Sequence, residues 1–331
     1  VVFADDYEKD FMSKAIVLGV TGMVGGCFAA KLAERGWNVL GVARHTAMGR
    51  HLVERSYPFA GCDILDRESL ECLFVKEQPD LIVNMAAQAF NGTSWDAEHY
   101  TYLVNVEGTH NILSAARTCC PETKLLLACS SAEYGDIQPE DCPLKEDRLL
   151  KPMTPYGVTK VTTECMGYQF FRNYGMPVYL PRMFIHVGTG HPPATAIQNF
   201  ARQIALIKKG KMGPQMRTGR LDTARDFIDV RDGVEAMLTL LEKGRPGVPV
   251  NICNGVAPRI QEVLDMLIDL AGISVEVVQD TGLLRPSDEP LLLGDNSKLM
   301  ALGWNRGYTL RQTLEGVLDD WLMRVDAKPR A

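Results

Sequence analysis

The chain reads as a doubly wound α/β protein on three observations. Short apolar runs rich in Val, Ile and Leu recur through the first half, helical stretches separate them, and a glycine-rich turn joins the first run to the first helix. Continuous apolar strands alternating with helices require a parallel sheet covered on both faces. Residues 14–20 (KAIVLGV) form the first strand, and a helix follows over 24–35 with Gly36 at its C′ position. Residues 37–43, 80–86 and 124–130 are further apolar strands, and 99–117 carries a helical pattern between the last two. The second half is less regular. Residues 177–184 and 248–253 read as added strands, and helical patterns fall at 194–208, 233–243, 260–270 and 310–324. The segments 187–193, 211–220 and 281–290 read as loops that form a site.

Composition narrows the function. Apolar residues make up 46% and charged residues 23% of the 331, an ordinary globular mix, so a sizeable core is expected. The net charge of −6 argues against a nucleic-acid binder, which needs a basic surface. No apolar run reaches the ~18 residues that span a bilayer, so no membrane partner is expected. Nine cysteines without C-x-x-C spacing predict reduced thiols in a cytoplasmic protein, with no metal site and no disulfide framework. Residues 1–11 are acidic and are set aside as a leader or remnant.

The turn Gly19-Val20-Thr21-Gly22-Met23-Val24-Gly25 follows a strand and opens a helix. Glycines let the backbone turn tightly and approach a pyrophosphate, and the helix N-terminus offers free N–H groups to that anion. The turn therefore predicts a Rossmann dinucleotide site lined by Gly19, Thr21, Gly22, Met23, Val24 and Gly25. At the end of the second strand, an acidic residue would bind the ribose hydroxyls of NAD. Here Ala43 leaves room for a 2′-phosphate and Arg44 can pair with it, with His45 and Arg50 as further donors. NADP(H) is the expected cofactor. Asp63 and Ile64, after the third strand, are placed at the adenine edge.

Tyr156 and Lys160 stand at i and i+4, which on a helix puts them on one face. An ammonium beside a phenol favours the phenolate and makes the tyrosine a better acid and base near neutral pH. Ser130 and Ser131 end an apolar strand, and strand C-termini are where doubly wound sheets bind ligands.

Over residues 14 to about 325 the chain resembles the extended short-chain dehydrogenase/reductases, the NAD-dependent epimerase/dehydratase family. The resemblance rests on the glycine turn, Asp63-Ile64, the run Asn84-Met85-Ala86-Ala87-Gln88, Asn105, Ser130, and the Tyr156/Lys160 pair. It implies Ser130, Tyr156 and Lys160 as the catalytic residues, Lys160 as a nicotinamide-ribose ligand, Met85, Ala86 and Ala87 along the cofactor, and a homodimer. SSAEYG at 130–135, RDFIDVRD at 225–232 and LRPSD at 284–288 are similar to the branch acting on GDP-linked sugars, its 4-keto-6-deoxy-mannose reductases and its mannose 4,6-dehydratases.

Dehydratases of the family carry Glu two residues after the catalytic Ser or Thr, to handle the C5 proton and C6 hydroxyl. Ala132 stands there, and in an extended segment Glu133 would face away from Ser130. The expected reaction is therefore NADPH-dependent reduction of a 4-keto-6-deoxy nucleotide sugar. The alternatives are 4,6-dehydration or epimerisation, and more remotely a non-catalytic NADP-sensing regulator. Ser131, Arg202, Arg225 and Arg285 are the expected substrate residues. Ile185 replaces the Asn usual before His186, and His186 reads as a structural histidine. The expected division is a Rossmann domain at 12–183, completed by about 226–254, and a smaller C-terminal α/β substrate lobe from 184–225 and 255–325.

Overall fold

A computed structural model describes residues 13–44, 57–283 and 289–327. The first half alternates as its apolar runs require. β1 (Lys14–Leu18) leads into α1 (Met23–Glu34) and β2 (Asn38–Ala43), followed by β3 (Phe59–Gly61), α2 (Arg67–Glu77) and β4 (Leu81–Asn84). Then come the short helices α3 (Thr93–Asp96) and α4 (Glu98–Tyr102), α5 (Gly108–Cys119), β5 (Lys124–Leu127), β6 (Cys129–Ser130), α6 (Pro155–Tyr174) and β7 (Val178–Met183). The second half holds β8 (Ile185–Val187), α7 (Ala196–Lys208), β9 (Gln215–Thr218), β10 (Ala224–Arg225), β11 (Phe227–Asp229) and α8 (Val230–Lys243). It closes with β12 (Pro249–Ile252), α9 (Ile260–Ala271), β13 (Glu276–Gln279), β14 (Leu291–Leu292), α10 (Ser297–Ala301) and α11 (Leu310–Asp326).

The main sheet runs β12-β7-β5-β4-β1-β2-β3, with β6 also on β7, and every pairing is parallel. Alternate residues of one strand feed opposite cores, as pleating dictates. Ala15 and Val17 pack with Phe28 and Leu32 of α1 and Met237 of α8. Ile16 and Leu18 pack with Phe74 of α2, Ile112 of α5 and Phe170 of α6. This is the doubly wound Rossmann arrangement. A third core gathers α7, α9 and α11 around Phe200, Leu264 and Leu314. Around it lie three two-stranded parallel pairs, β8–β11, β9–β13 and β10–β14.

The structure departs from the sequence reading at several elements. The strand expected over 124–130 breaks at Ala128 into β5 and β6, and the carbonyl at the break accepts the Lys160 ammonium. The helix expected over 99–117 is interrupted by a π-helical turn at Leu103–Glu107. That turn aims Asn105 inward, a common use of an extra residue in a helix. The loop expected over 211–220 contains β9, whose alternating burial is too short to stand out as a strand.

Candidate active site

The glycine turn sits at the C-terminal edge of the sheet. Gly19 has φ +79°, and a Cβ there would stand 2.5 Å from the Ala86 nitrogen. A Cβ on Gly25 would stand 2.4 Å from the Gly19 carbonyl oxygen, so the start of α1 lies directly on the turn. Gly22, at the N-cap, is exposed and donates its N–H to Gly19, while Thr21, Met23 and Val24 are half-buried around the open helix end. This is the cradle that a dinucleotide pyrophosphate requires: free N–H groups, a positive helix end and no side chain in the way.

Ala43 is buried at the end of β2, and Arg44 beyond it is exposed. Arg44 Nη1 donates to the Tyr100 hydroxyl at 2.7 Å. Sequence gave no hint of that partner, which lies 56 residues away on α4. Met85 continues the β4 ladder by donating to Leu18, and Ala86 N–H donates to the Asn84 side chain, with Ala87 half-buried beside them. Asp63 is half-buried and accepts from the Leu65 N–H. The Ile64 side chain is buried, and a Cβ on Gly108 would strike it at 2.5 Å. His45, Arg50 and Arg285 lie outside the described residues.

Tyr156 and Lys160 occupy the first turns of α6. Thr154 caps the helix by accepting the Gly157 N–H, and Pro155 fits the first turn. The Lys160 nitrogen lies 5.6 Å from the Tyr156 ring centroid and donates to Ala128 O at 2.7 Å. Lys160 is 5% exposed while Tyr156 is half-buried, so the ammonium is fixed below and the phenol is reachable. A Cβ on Gly157 would stand 2.6 Å from Ala132 O, so the helix presses against the turn that carries Ser130 and Ser131. Asn105 ties the same helix to the cofactor side. It accepts from the Gln88 N–H and donates to Thr159, whose hydroxyl donates to Tyr156 O.

The Ser130 turn differs from the extended segment expected. Residues Ser131–Glu133 form a 3-10 turn capped by Ser130, whose hydroxyl accepts the Ala132 N–H at 3.1 Å. Glu133 curls back into the interior, fully buried, and its Oε1 accepts the Ser130 N–H at 2.7 Å. The carbonyl of Ala132 lies against the start of α6.

Of the other expected substrate residues, Arg202 is exposed on α7. Arg225 is 9% exposed, and its Nη1 donates to the carbonyls of Ala224 and Glu289. His186 Nδ1 pairs with Phe184 O at 2.8 Å, and burial pushes its pKa down to about 4. A buried cluster of Glu133, Glu164 and Arg182 escaped the sequence reading. Its one signal was an arginine inside the otherwise apolar strand 177–184, which calls for a buried partner.

The family model for GDP-mannose 4,6 dehydratase matches residues 16–317. The GDP-6-deoxy-D-mannose reductase of Pseudomonas aeruginosa is 31% identical over 94% of this chain and 98% of its own. A GDP-mannose 4,6-dehydratase of Vibrio cholerae is 26% identical over 90% of each. Among solved structures, RMD from Pseudomonas aeruginosa complexed with NADPH superposes with TM-score 0.82 at 29% identity, covering 95% of this chain and all of that one. A Thermus thermophilus UDP-glucose 4-epimerase with NAD gives TM-score 0.83 at 26% identity over 93% and 98%. With a parallel Rossmann sheet, a glycine cradle and a Tyr-x-x-x-Lys helix at its C-terminal edge, the chain belongs to the GDP-mannose 4,6-dehydratase family of nucleotide-sugar enzymes.

Proposed function

We propose that the protein reduces a 4-keto-6-deoxy nucleotide sugar of the GDP-mannose type, using NADPH. One observation favours reduction over dehydration: the carboxyl nearest Ser130 is buried and engaged with a backbone N–H, and residue 132, whose carbonyl lies against the start of α6, is an alanine. Dehydration needs an acid and base at C5 and C6, which a methyl cannot supply.

The glycine cradle fits a dinucleotide, with Ala43 and Arg44 suited to a 2′-phosphate and Lys160 to the nicotinamide ribose. When bound, NADPH supplies the hydride. The Ser130 hydroxyl polarises the keto oxygen, Tyr156 delivers the proton to it, and the Lys160 ammonium stabilises the phenolate left behind. The Ala128 carbonyl holds that ammonium on the same helix face as Tyr156. Arg225, Arg202 and Arg285 are assigned to the substrate diphosphate, with Ser131 beside the sugar. In this assignment the cofactor lies on 12–183 with 226–254, and the nucleotide sugar on 184–225 with 255–325.

The direct test is loss of NADPH absorbance with GDP-4-keto-6-deoxy-mannose and formation of the 6-deoxy sugar nucleotide. Consumption of GDP-mannose itself, with a keto product and no net NADPH use, would overturn the assignment. Homodimer assembly and a cytoplasmic location belong to the same proposal, to be measured by light scattering and by cell fractionation. Among the described residues no helix is long and apolar enough to cross a membrane.

A further inference from the structure

Beneath the Ser130 turn lies a buried ionic cluster that the hydride and proton chemistry does not use. Arg182 on β7 is 3% exposed. Its fork grips Glu164 with two bonds of 2.7 Å, and its Nη1 donates to the Tyr134 hydroxyl and to Glu146 O. Glu164 lies on α6, one turn beyond Lys160. On the other side, Arg182 Nε stands 3.6 Å from Glu133 Oε2. Among the described residues that buried oxygen has no hydrogen-bond partner, while Oε1 of the same carboxyl takes the Ser130 N–H. One guanidinium thus joins the turn that carries Ser130 to the helix that carries Tyr156 and Lys160.

Charge decides how the cluster is protonated. Two carboxylates around one guanidinium would leave a net negative charge in the interior, at a cost of several kcal/mol. Glu164 already holds the bidentate contact, the stronger geometry for an ion pair. Glu133 is therefore the member that carries a proton. Burial and the neighbouring Glu164 carboxylate push its pKa well above the usual range. As an acid it resolves its own orphan atom: the Oε2 hydroxyl becomes a donor, and an oxygen of Glu164 lies within 4.8 Å of the Glu133 carboxyl. Its carbonyl oxygen still accepts the Ser130 N–H. Cys129 stands in the same cluster, whose spacing would suit a cation, but the guanidinium already supplies that positive charge.

We propose that Glu133 is a positioning residue of the reaction, which with Arg182 and Glu164 holds the Ser130 hydroxyl in register with Tyr156. The proposal rests on the catalytic assignment made above for Ser130, Tyr156 and Lys160. It gives Glu133 no contact with substrate and no part in dehydration.

Four variants test it: Glu133→Gln, Glu133→Ala, Glu133→Asp and, as a control, Tyr156→Phe. Each is assayed for kcat with the 4-keto sugar nucleotide and for NADPH Kd by fluorescence. Glutamine keeps both an acceptor for Ser130 and a donor for Glu164, so kcat stays within about threefold of the parent. Alanine strands the Ser130 N–H, and aspartate is too short to reach it. Each lowers kcat by about tenfold or more, the scale of an orphaned buried donor, with NADPH Kd within about twofold. The contrast between Asp and Gln decides the matter even if the alanine variant does not fold. Parent-like kcat in Glu133→Asp, or a Glu133→Gln as slow as it, overturns the proposal while Tyr156→Phe stays inactive. An active Tyr156→Phe brings down the catalytic assignment and this proposal together.

Discussion

β4 and β13 show how differently the two regions are built. β4 is LIVN with all four residues buried, and it pairs with a neighbour on each side. β13 is EVVQ with three residues exposed and one half-buried, and it pairs only with β9. The first region fixes its strands between two cores and carries the proposed catalytic residues at their ends. The second hangs short pairs around a helical core. A rigid sheet holds reacting groups to a fraction of an ångström, whereas short pairs on loops can change their shape between relatives. Substitutions at the sheet edge should therefore read out in kcat and cofactor affinity, and those in the lobe in the KM for the nucleotide sugar.

The largest expected effect tests the sheet edge. Tyr156→Phe removes the proton donor and leaves the ring, so kcat falls about 10²- to 10⁴-fold, the range of general acid catalysis. NADPH binding should be intact by fluorescence. A variant that lost cofactor and kept its rate would invert the proposed division. Next comes Arg44→Ala, which takes one charged contact from the 2′-phosphate, worth about 2 kcal/mol. The ratio of KM values for NADH and NADPH then falls about 30-fold. An unchanged ratio would assign the preference elsewhere.

In the lobe, Arg225→Ala should raise the sugar-nucleotide KM about tenfold, the loss of one charge-assisted contact. Calorimetry with GDP alone separates this from a purely structural role. If Arg225 serves only to tie down the Glu289 carbonyl, the melting temperature drops and GDP affinity does not change.

What could be read in advance follows the same divide. The runs at 14–20 and 80–86 were legible as strands because their buried centres, residues 15–18 and 81–83, are short, apolar and set between helical stretches. The glycine turn was legible because its steric demand is local: Gly19 and Gly25 meet backbone a few residues away or on the next strand. Glu133 was not, because its fate depends on a 3-10 turn and on an arginine that lies 49 positions further along the chain. β9 and β13 were missed because QMRT and EVVQ carry too few apolar positions to show a period. The π-helical turn at Asn105 has no sequence signature; its side-chain bonds to Gln88 and Thr159 exist only in the folded chain.

The smallest expected effect sits at the seam between the two regions, where β8 pairs with β11 and Gly233 of α8 lies under His186. A Cβ on Gly233 would stand 2.1 Å from His186 Nε2, a buried atom with no hydrogen-bond partner among the described residues. Burial holds His186 neutral, with its pKa lowered to about 4 despite the Phe184 carbonyl and Asp229, which raise it. The unfolded chain takes up a proton below about 6.5, so the native state binds fewer protons between pH 4 and 6.5. The stability from this group is complete above that window and is lost as pH falls through it. Asp226 works the other way: burial raises its pKa to about 6, the native state binds more protons between about 4 and 6, and stability declines as pH rises. The two slopes oppose each other in the parent protein. His186→Leu removes one of them, so its unfolding free energy should gain less per pH unit than the parent's, by at most about 1.4 kcal/mol. Denaturant titrations at about pH 4.5, 5.5 and 6.5 would measure the difference. Parallel curves for parent and variant would mean that the seam admits water and that His186 titrates freely.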